Sequence, residues 1–95
     1  MSRASPEQAR RVLYSGWVQG VGFRYTARRL AQDYRVAGFV RNLPDGRVEL
    51  VVEGPEVEIE RFLRAVQEAM SGYIRGTEVQ PLTPTGQYAS FEIVR

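Results

Sequence analysis

Apolar residues recur along the chain with two different periods, and each change of period marks the border of an element. Val12, Tyr14 and Val18 fall at even spacing in Val12-Leu13-Tyr14-Ser15-Gly16-Trp17-Val18, so a first strand is expected over 12–18. From Arg24 the period lengthens: Ala27, Leu30, Ala31 and Tyr34 recur every three or four residues, with Arg28, Arg29, Gln32 and Asp33 on the other side, the pattern of an amphipathic helix. Alternation returns over 36–41, where Val36, Gly38 and Val40 oppose Ala37, Phe39 and Arg41. It continues over 48–53, where Val48, Leu50 and Val52 oppose Glu49, Val51 and Glu53. Between these runs lies Asn42-Leu43-Pro44-Asp45-Gly46-Arg47; Pro44 fixes φ and Gly46 accepts positive φ, so the two strands read as a hairpin.

Gly54-Pro55 breaks the alternation. Ile59, Phe62, Leu63, Val66 and Met70 then give a second helix over 57–70, which opens with Glu56, Glu58 and Glu60 near the positive end of its dipole and stops at Ser71-Gly72. A weaker strand is expected over 77–82 and a last short one over 90–94. Residues 1–11 carry Ser, Pro, Glu, Gln and Arg without apolar periodicity and read as a mobile tail, which leaves 12–95 as one domain. The order β-α-β-β-α-β, with a short extra C-terminal strand and one apolar stripe per helix, predicts a ferredoxin-like α/β (α+β) sandwich: a mainly antiparallel sheet with both helices on one face.

Composition narrows the chemistry. The 95 residues include no Cys, no His and no Lys, so all 13 basic side chains are Arg, against 11 carboxylates and a formal charge of +2. Thiolate and imidazole catalysis, Schiff-base lysines, P-loop lysines and Cys/His zinc sites therefore lack their atoms. What remains is guanidinium, carboxylate, hydroxyl, amide and backbone. The pI of 9.4 follows from a small Arg excess in a chain with few groups titrating near neutrality, and the charge of +2 describes its field better; no nucleic-acid partner is expected. No apolar run approaches a membrane span and no signal segment is visible, so a cytoplasmic protein without a membrane partner is expected, as a monomer.

The informative segment is Gly16-Trp17-Val18-Gln19-Gly20-Val21-Gly22-Phe23-Arg24, where a strand passes into a helix. Gly20 and Gly22 let successive N–H groups turn inward at a helix N-terminus, a place that favours an anion, and Arg24 enters the first turn with a fork able to hold two oxygens. Neither nucleotide motif fits, because the dinucleotide pattern needs Gly at Tyr25 and the P-loop needs a Lys. A Gly-rich turn followed by a solvated Arg is the plainer reading of the same residues. Asn42, the only Asn in the chain, reads equally as an Asx-turn residue; Asp45 and Gly46 belong to the turn.

Val18-Gln19-Gly20-Val21-Gly22-Phe23-Arg24, followed by Gly38-Phe39-Val40-Arg41-Asn42-Leu43-Pro44-Asp45-Gly46-Arg47-Val48 and Glu53-Gly54, closely resembles the acylphosphatase family in content, order and spacing. The resemblance runs from about Val12 to Phe91-Glu92-Ile93. It implies a ferredoxin-like fold that hydrolyses carboxylic-phosphoric mixed anhydrides without metal or other cofactor. It also implies that the loop Gln19, Gly20, Val21, Gly22, Phe23 and Arg24 binds the phosphoryl group through backbone amides, that Arg24 clamps its oxygens, and that Asn42 holds the attacking water. Two segments depart from the family pattern: Trp17 stands where a basic or polar residue is usual, and Met70-Ser71-Gly72-Tyr73-Ile74-Arg75-Gly76 replaces a more Gly-Pro-rich loop.

Two other readings of the chain lead elsewhere. RNA-recognition modules share the element order, but their aromatics lie mid-strand on the open sheet, whereas Gly20 to Tyr25 leaves a strand and opens a helix. An accessory domain of a larger carbamoyl-transferring hydrogenase-maturation protein is opposed by length, since the chain opens with Met and closes with its last strand. A non-catalytic binder of acyl phosphates would use the same cradle, and phosphate binding without product release would distinguish it.

Overall fold

The computed structural model describes residues 7–95. Its elements are β1 (Glu7–Gly16), α1 (Phe23–Ala31), β2 (Ala37–Asn42), β3 (Val48–Pro55), α2 (Glu56–Ala69), β4 (Ile74–Leu82) and β5 (Phe91–Ile93). The five strands form one mixed sheet in the order β4-β1-β3-β2-β5. Neighbours run antiparallel except β2 and β5, which are parallel. The expected ferredoxin-like arrangement with an extra C-terminal strand is therefore the observed one.

Several boundaries move by a residue or two, β4 begins at Ile74 instead of residue 77, and the largest difference is in β1. The strand begins at Glu7, not Val12, so residues 7–11 are not a tail; they pair with β3 from Glu7↔Pro55 and with β4 from Ala9↔Leu82. The remainder of the expected tail, 1–6, lies outside the described residues. At its other end β1 stops at Gly16, and Val18 leaves the sheet while keeping its side chain buried.

The alternation of each strand sorts its side chains to two faces. Val12, Tyr14, Val40, Val48, Leu50 and Val52 face the helices and meet Ala27, Ala31, Ile59, Phe62 and Val66 in one core. Burial of such side chains stabilises by roughly 1.5 to 3 kcal/mol for each large aliphatic or aromatic group. Phe62 sits at the centre, with Phe91 edge-on at 5.2 Å and Tyr34 tilted at 6.2 Å between ring centroids. α1 packs over β2 and β5, and α2 packs over β3.

The other face is polar but partly covered. Glu49 is 4% exposed, receiving Arg11 Nε at 2.6 Å and Arg41 Nε at 2.5 Å. Glu53 accepts the Thr85 and Gly86 N–H groups at 2.8 and 2.9 Å and the Thr85 hydroxyl at 2.9 Å. The segment joining β4 to β5, at opposite edges, is thus fastened to the middle of the sheet by one carboxylate. Burial alone would raise both carboxyls above their ordinary value; the hydrogen bonds outweigh it and hold both below.

Candidate active site

Three structural facts bring the sequence-predicted residues together. β1 and β2 are not neighbours, yet both run antiparallel to the β3 that separates them, so both end at the same edge of the molecule. Tyr14, Val48 and Asn42 consequently lie in one row across the sheet. The two ends come to one edge without β1 and β2 being direct neighbours.

The second fact is the shape of the β1–α1 connection. Val18 and Phe23 are buried at its two ends, and the Phe23 ring tilts against Tyr14 at 4.8 Å, so the residues between are drawn into a compact loop. Burial pushes the Tyr14 phenol well above its ordinary value, leaving it a neutral part of this anchor. Gly20 and Gly22 adopt φ of 78° and 82°, and a Cβ at either would meet nothing within 4 Å. Backbone conformation rather than crowding is what calls for glycine there, because L side chains pay about 1 to 2 kcal/mol in the left-handed region. The first helical bond is from Thr26 N–H to the Gly22 carbonyl, at 3.0 Å, and Gly22 supplies no side-chain cap. The N–H groups of Phe23, Arg24 and Tyr25 therefore precede the helical ladder, and those of Gln19, Gly20, Val21 and Gly22 find no backbone acceptor among the described residues.

The third fact was not legible in the sequence. The Gln19 side chain donates from Nε2 to the carbonyls of Leu43 (2.8 Å) and Arg47 (2.9 Å). Only an amide nitrogen suits a position facing two acceptors, so the orientation of the carboxamide is fixed. Gln19 thus ties the cradle loop to the β2–β3 turn, whose own bonds run from Leu43 N–H to Arg47 O and from Gly46 N–H to Leu43 O. Asp45 makes the side-chain bond to the turn backbone, to Arg47 N–H at 3.0 Å; Asn42 makes none and is paired as a strand residue with Val48. The Asx-turn alternative for Asn42 is thereby replaced by a free carboxamide at the strand's end.

Together these features enclose a cavity of about 200 Å³ lined by Val18, Gly20, Gly22, Phe23, Arg24, Tyr25 and Asn42. No carboxylate is among them. Arg24, half-buried, makes no ion pair with any carboxylate among the described residues, in contrast to Arg11, Arg41 and Arg47. The Arg24 guanidinium and the N-terminus of α1 give the cavity one sign of potential. Among the described residues no three His, Cys, Asp or Glu side chains converge to hold a metal ion, and no helix is long and apolar enough to cross a membrane.

A cationic cavity at a strand-to-helix turn on a ferredoxin-like sheet has the charge and the helix N-terminus that suit an anion. Comparison with known proteins goes further. The family model described as Acylphosphatase matches residues 10–93, and the chain belongs to this family. It is 43% identical over 83 residues to the acylphosphatase of Archaeoglobus fulgidus, covering 86% of this chain and 92% of the relative. To that of Methanospirillum hungatei it is 44% identical over 86 residues, covering 88% and 93%. The crystal structure of acylphosphatase from Bacillus subtilis superimposes with a TM-score of 0.83 at 33% identity, over 93% of this chain and 99% of that one. Full-length HypF, in its phosphate- and nucleotide-bound form, matches with a TM-score of 0.81 at 31% identity, over all of this chain but 13% of its own length.

Proposed function

We propose that the loop from Gln19 to Arg24 holds the phosphoryl group of an acyl phosphate, that Arg24 clamps its oxygens, and that Asn42 holds the attacking water. The reaction is that of the family: this chain is an acylphosphatase, hydrolysing acyl phosphates to a carboxylate and inorganic phosphate. Water oxygen bonds to phosphorus, and the bond from phosphorus to the carboxyl oxygen breaks, its electron pair leaving with the carboxylate. The water proton passes to a phosphoryl oxygen, so the products are a carboxylate and dihydrogen phosphate, and charge balances without a protein base. A carboxylate leaves readily and needs no acid. The protein's part is positioning and stabilisation of charge on the equatorial oxygens, the dominant contributions to phosphoryl transfer.

The observation that carries this reading is the Arg24 guanidinium, without a carboxylate partner among the described residues, lining one cavity with Asn42 and the first turn of α1. By analogy with arginines that serve other phosphoryl transfers, its loss costs on the order of 10³ to 10⁵ in rate. The test is turnover of acetyl phosphate by purified wild type, Arg24→Ala, Arg24→Lys and Asn42→Ala, with inorganic phosphate binding measured by calorimetry. Arg24→Ala should lose both turnover and phosphate binding; Asn42→Ala should lose turnover and keep binding. Near-wild-type turnover in a folded variant at either position overturns the assignment. Action in the cytoplasm on a small molecule, by a single copy of the chain, is part of the same proposal.

A further inference from the structure

The two most exposed large hydrophobic side chains among the described residues stand on either side of the cradle: Trp17, 74% exposed, just before it and Tyr25, 68% exposed, just after it. Each borders a further cavity. One, of about 380 Å³, runs from Tyr25 along the basic face of α1, past Arg28 and Arg29. The other, of about 420 Å³, is lined by Gly16, Trp17, Val18, Gln19, Gly46 and Arg75, and shares the wall at Val18 with the cavity of Arg24 and Asn42.

Reaction geometry distinguishes these two directions. In a displacement at phosphorus the attacking and leaving oxygens lie roughly in line. With the water on Asn42, the acyl group must depart on the side of the phosphoryl group away from β2. Across this edge of the sheet the order is β4, β1, β3, β2, and Gly16 at the end of β1 pairs with Ile74 at the start of β4. Trp17 follows that pair directly, its N–H bonded to the Tyr73 carbonyl at 2.9 Å, and Arg75 is the next residue of β4. The Trp17 cavity therefore opens toward β1 and β4, reaching the β2–β3 turn at Gly46 and not Asn42 itself. The basic groove of α1 lies over β2 and β5, on the side of the water.

We propose that the Trp17 cavity is the acyl subsite, and that Trp17 makes this enzyme selective for planar, aromatic acyl groups. The indole offers a broad apolar face that a benzoyl-type group can stack on and a methyl group cannot, and Arg75, free of carboxylate partners among the described residues, stands beside the carboxylate that departs. This inference rests on the placement of water and phosphoryl group given under the proposed function.

The experiment compares kcat and KM for benzoyl phosphate and acetyl phosphate in wild type, Trp17→Ala and Trp17→Arg, with the inhibition constant of inorganic phosphate measured in each. Wild type should prefer benzoyl phosphate in kcat/KM. In Trp17→Ala that preference should fall roughly five- to tenfold, as expected for one lost aromatic contact, through KM rather than kcat. Phosphate, which occupies the cradle alone, should inhibit Trp17→Ala as it does wild type. A preference unchanged in Trp17→Ala, or a loss equal for both substrates, overturns the subsite. Absence of turnover of either substrate by wild type overturns instead the reading on which it rests.

Discussion

Replacing Gln19 tests whether the cradle loop and the strand end that carries Asn42 form one device. Its Nε2 spans from the phosphoryl loop to the carbonyls of Leu43 and Arg47, at 2.8 and 2.9 Å. In Gln19→Ala both bonds go, while the backbone N–H that would serve the phosphoryl group stays. Neither carbonyl is orphaned, because Arg47 O still accepts Leu43 N–H at 2.8 Å and Leu43 O still accepts Gly46 N–H at 3.1 Å. The loss should therefore lie at the lower end for two hydrogen bonds, about 1 to 2 kcal/mol, which for a domain this small is roughly 5 to 15 °C in Tm. Catalysis should suffer more than stability. Once the tie is cut, Asn42 is free to drift relative to the phosphoryl group, and a displacement of about 1 Å can cost on the order of 100-fold. Gln19→Glu should be worse than Gln19→Ala, because it aims carboxylate oxygens at two carbonyls and brings negative charge to an anion site. Thermal melts and saturating turnover of acetyl phosphate, taken where each variant is fully folded by circular dichroism, report the two effects separately. A lowered Tm with unchanged kcat would reduce Gln19 to a structural clip, and an unchanged Tm would contradict the bonds themselves.

Three further outcomes follow from the same geometry. Gly22→Val should lose more phosphate affinity and more stability than Gly22→Asn, because Asn tolerates φ near 82° and Val does not, while a Cβ there meets nothing within 4 Å in either case; equal losses by calorimetry and melting would argue against the conformational reason. Glu49 holds its proton less tightly folded than unfolded, so its contribution to stability is present above its ordinary value of 4.5 and is lost as pH falls through the lower folded value. Glu49→Gln should flatten the acid limb of a Tm-against-pH curve, leaving the part due to Glu53, and an unaltered limb would contradict the pairing with Arg11 and Arg41. Glu53→Ala should speed amide exchange at Thr85 and Gly86 and lower Tm without changing kcat, since its three bonds serve the crossing segment and not the site.

The elements most readily read from sequence were those with one clean apolar period, such as α2 with Ile59, Phe62 and Val66. The start of β1 was hidden because Glu7, Gln8, Arg10 and Arg11 carry no apolar signal. They are a strand because β3 pairs with all of them and β4 adds a second neighbour from Ala9 onward, and Arg11 has Glu49 and Gln80 as partners. β4 was expected three residues short for a similar reason: its first turn of chain contains Gly76 and lies at the sheet edge. Gly20, Gly22, Arg24 and Asn42 could be named from their motifs, but not brought together. That depended on β3 inserting between β1 and β2, a pairing across distant residues. The role of the Gln19 side chain was equally out of reach, since its acceptors lie 24 and 28 residues away and are backbone atoms that no residue type announces. The alternation sets Glu49 and Glu53 opposite Val48, Leu50 and Val52 but does not show that arginines and a crossing loop bury them.

The most direct test of the central claim is a crystal structure with phosphate or sulfate bound. The anion should lie on the backbone amides between Gly20 and Arg24, held by two nitrogens of the Arg24 guanidinium, with the Asn42 carboxamide one water molecule away. An anion seated instead against Arg28 and Arg29, or one that leaves Arg24 and Asn42 untouched, would contradict it.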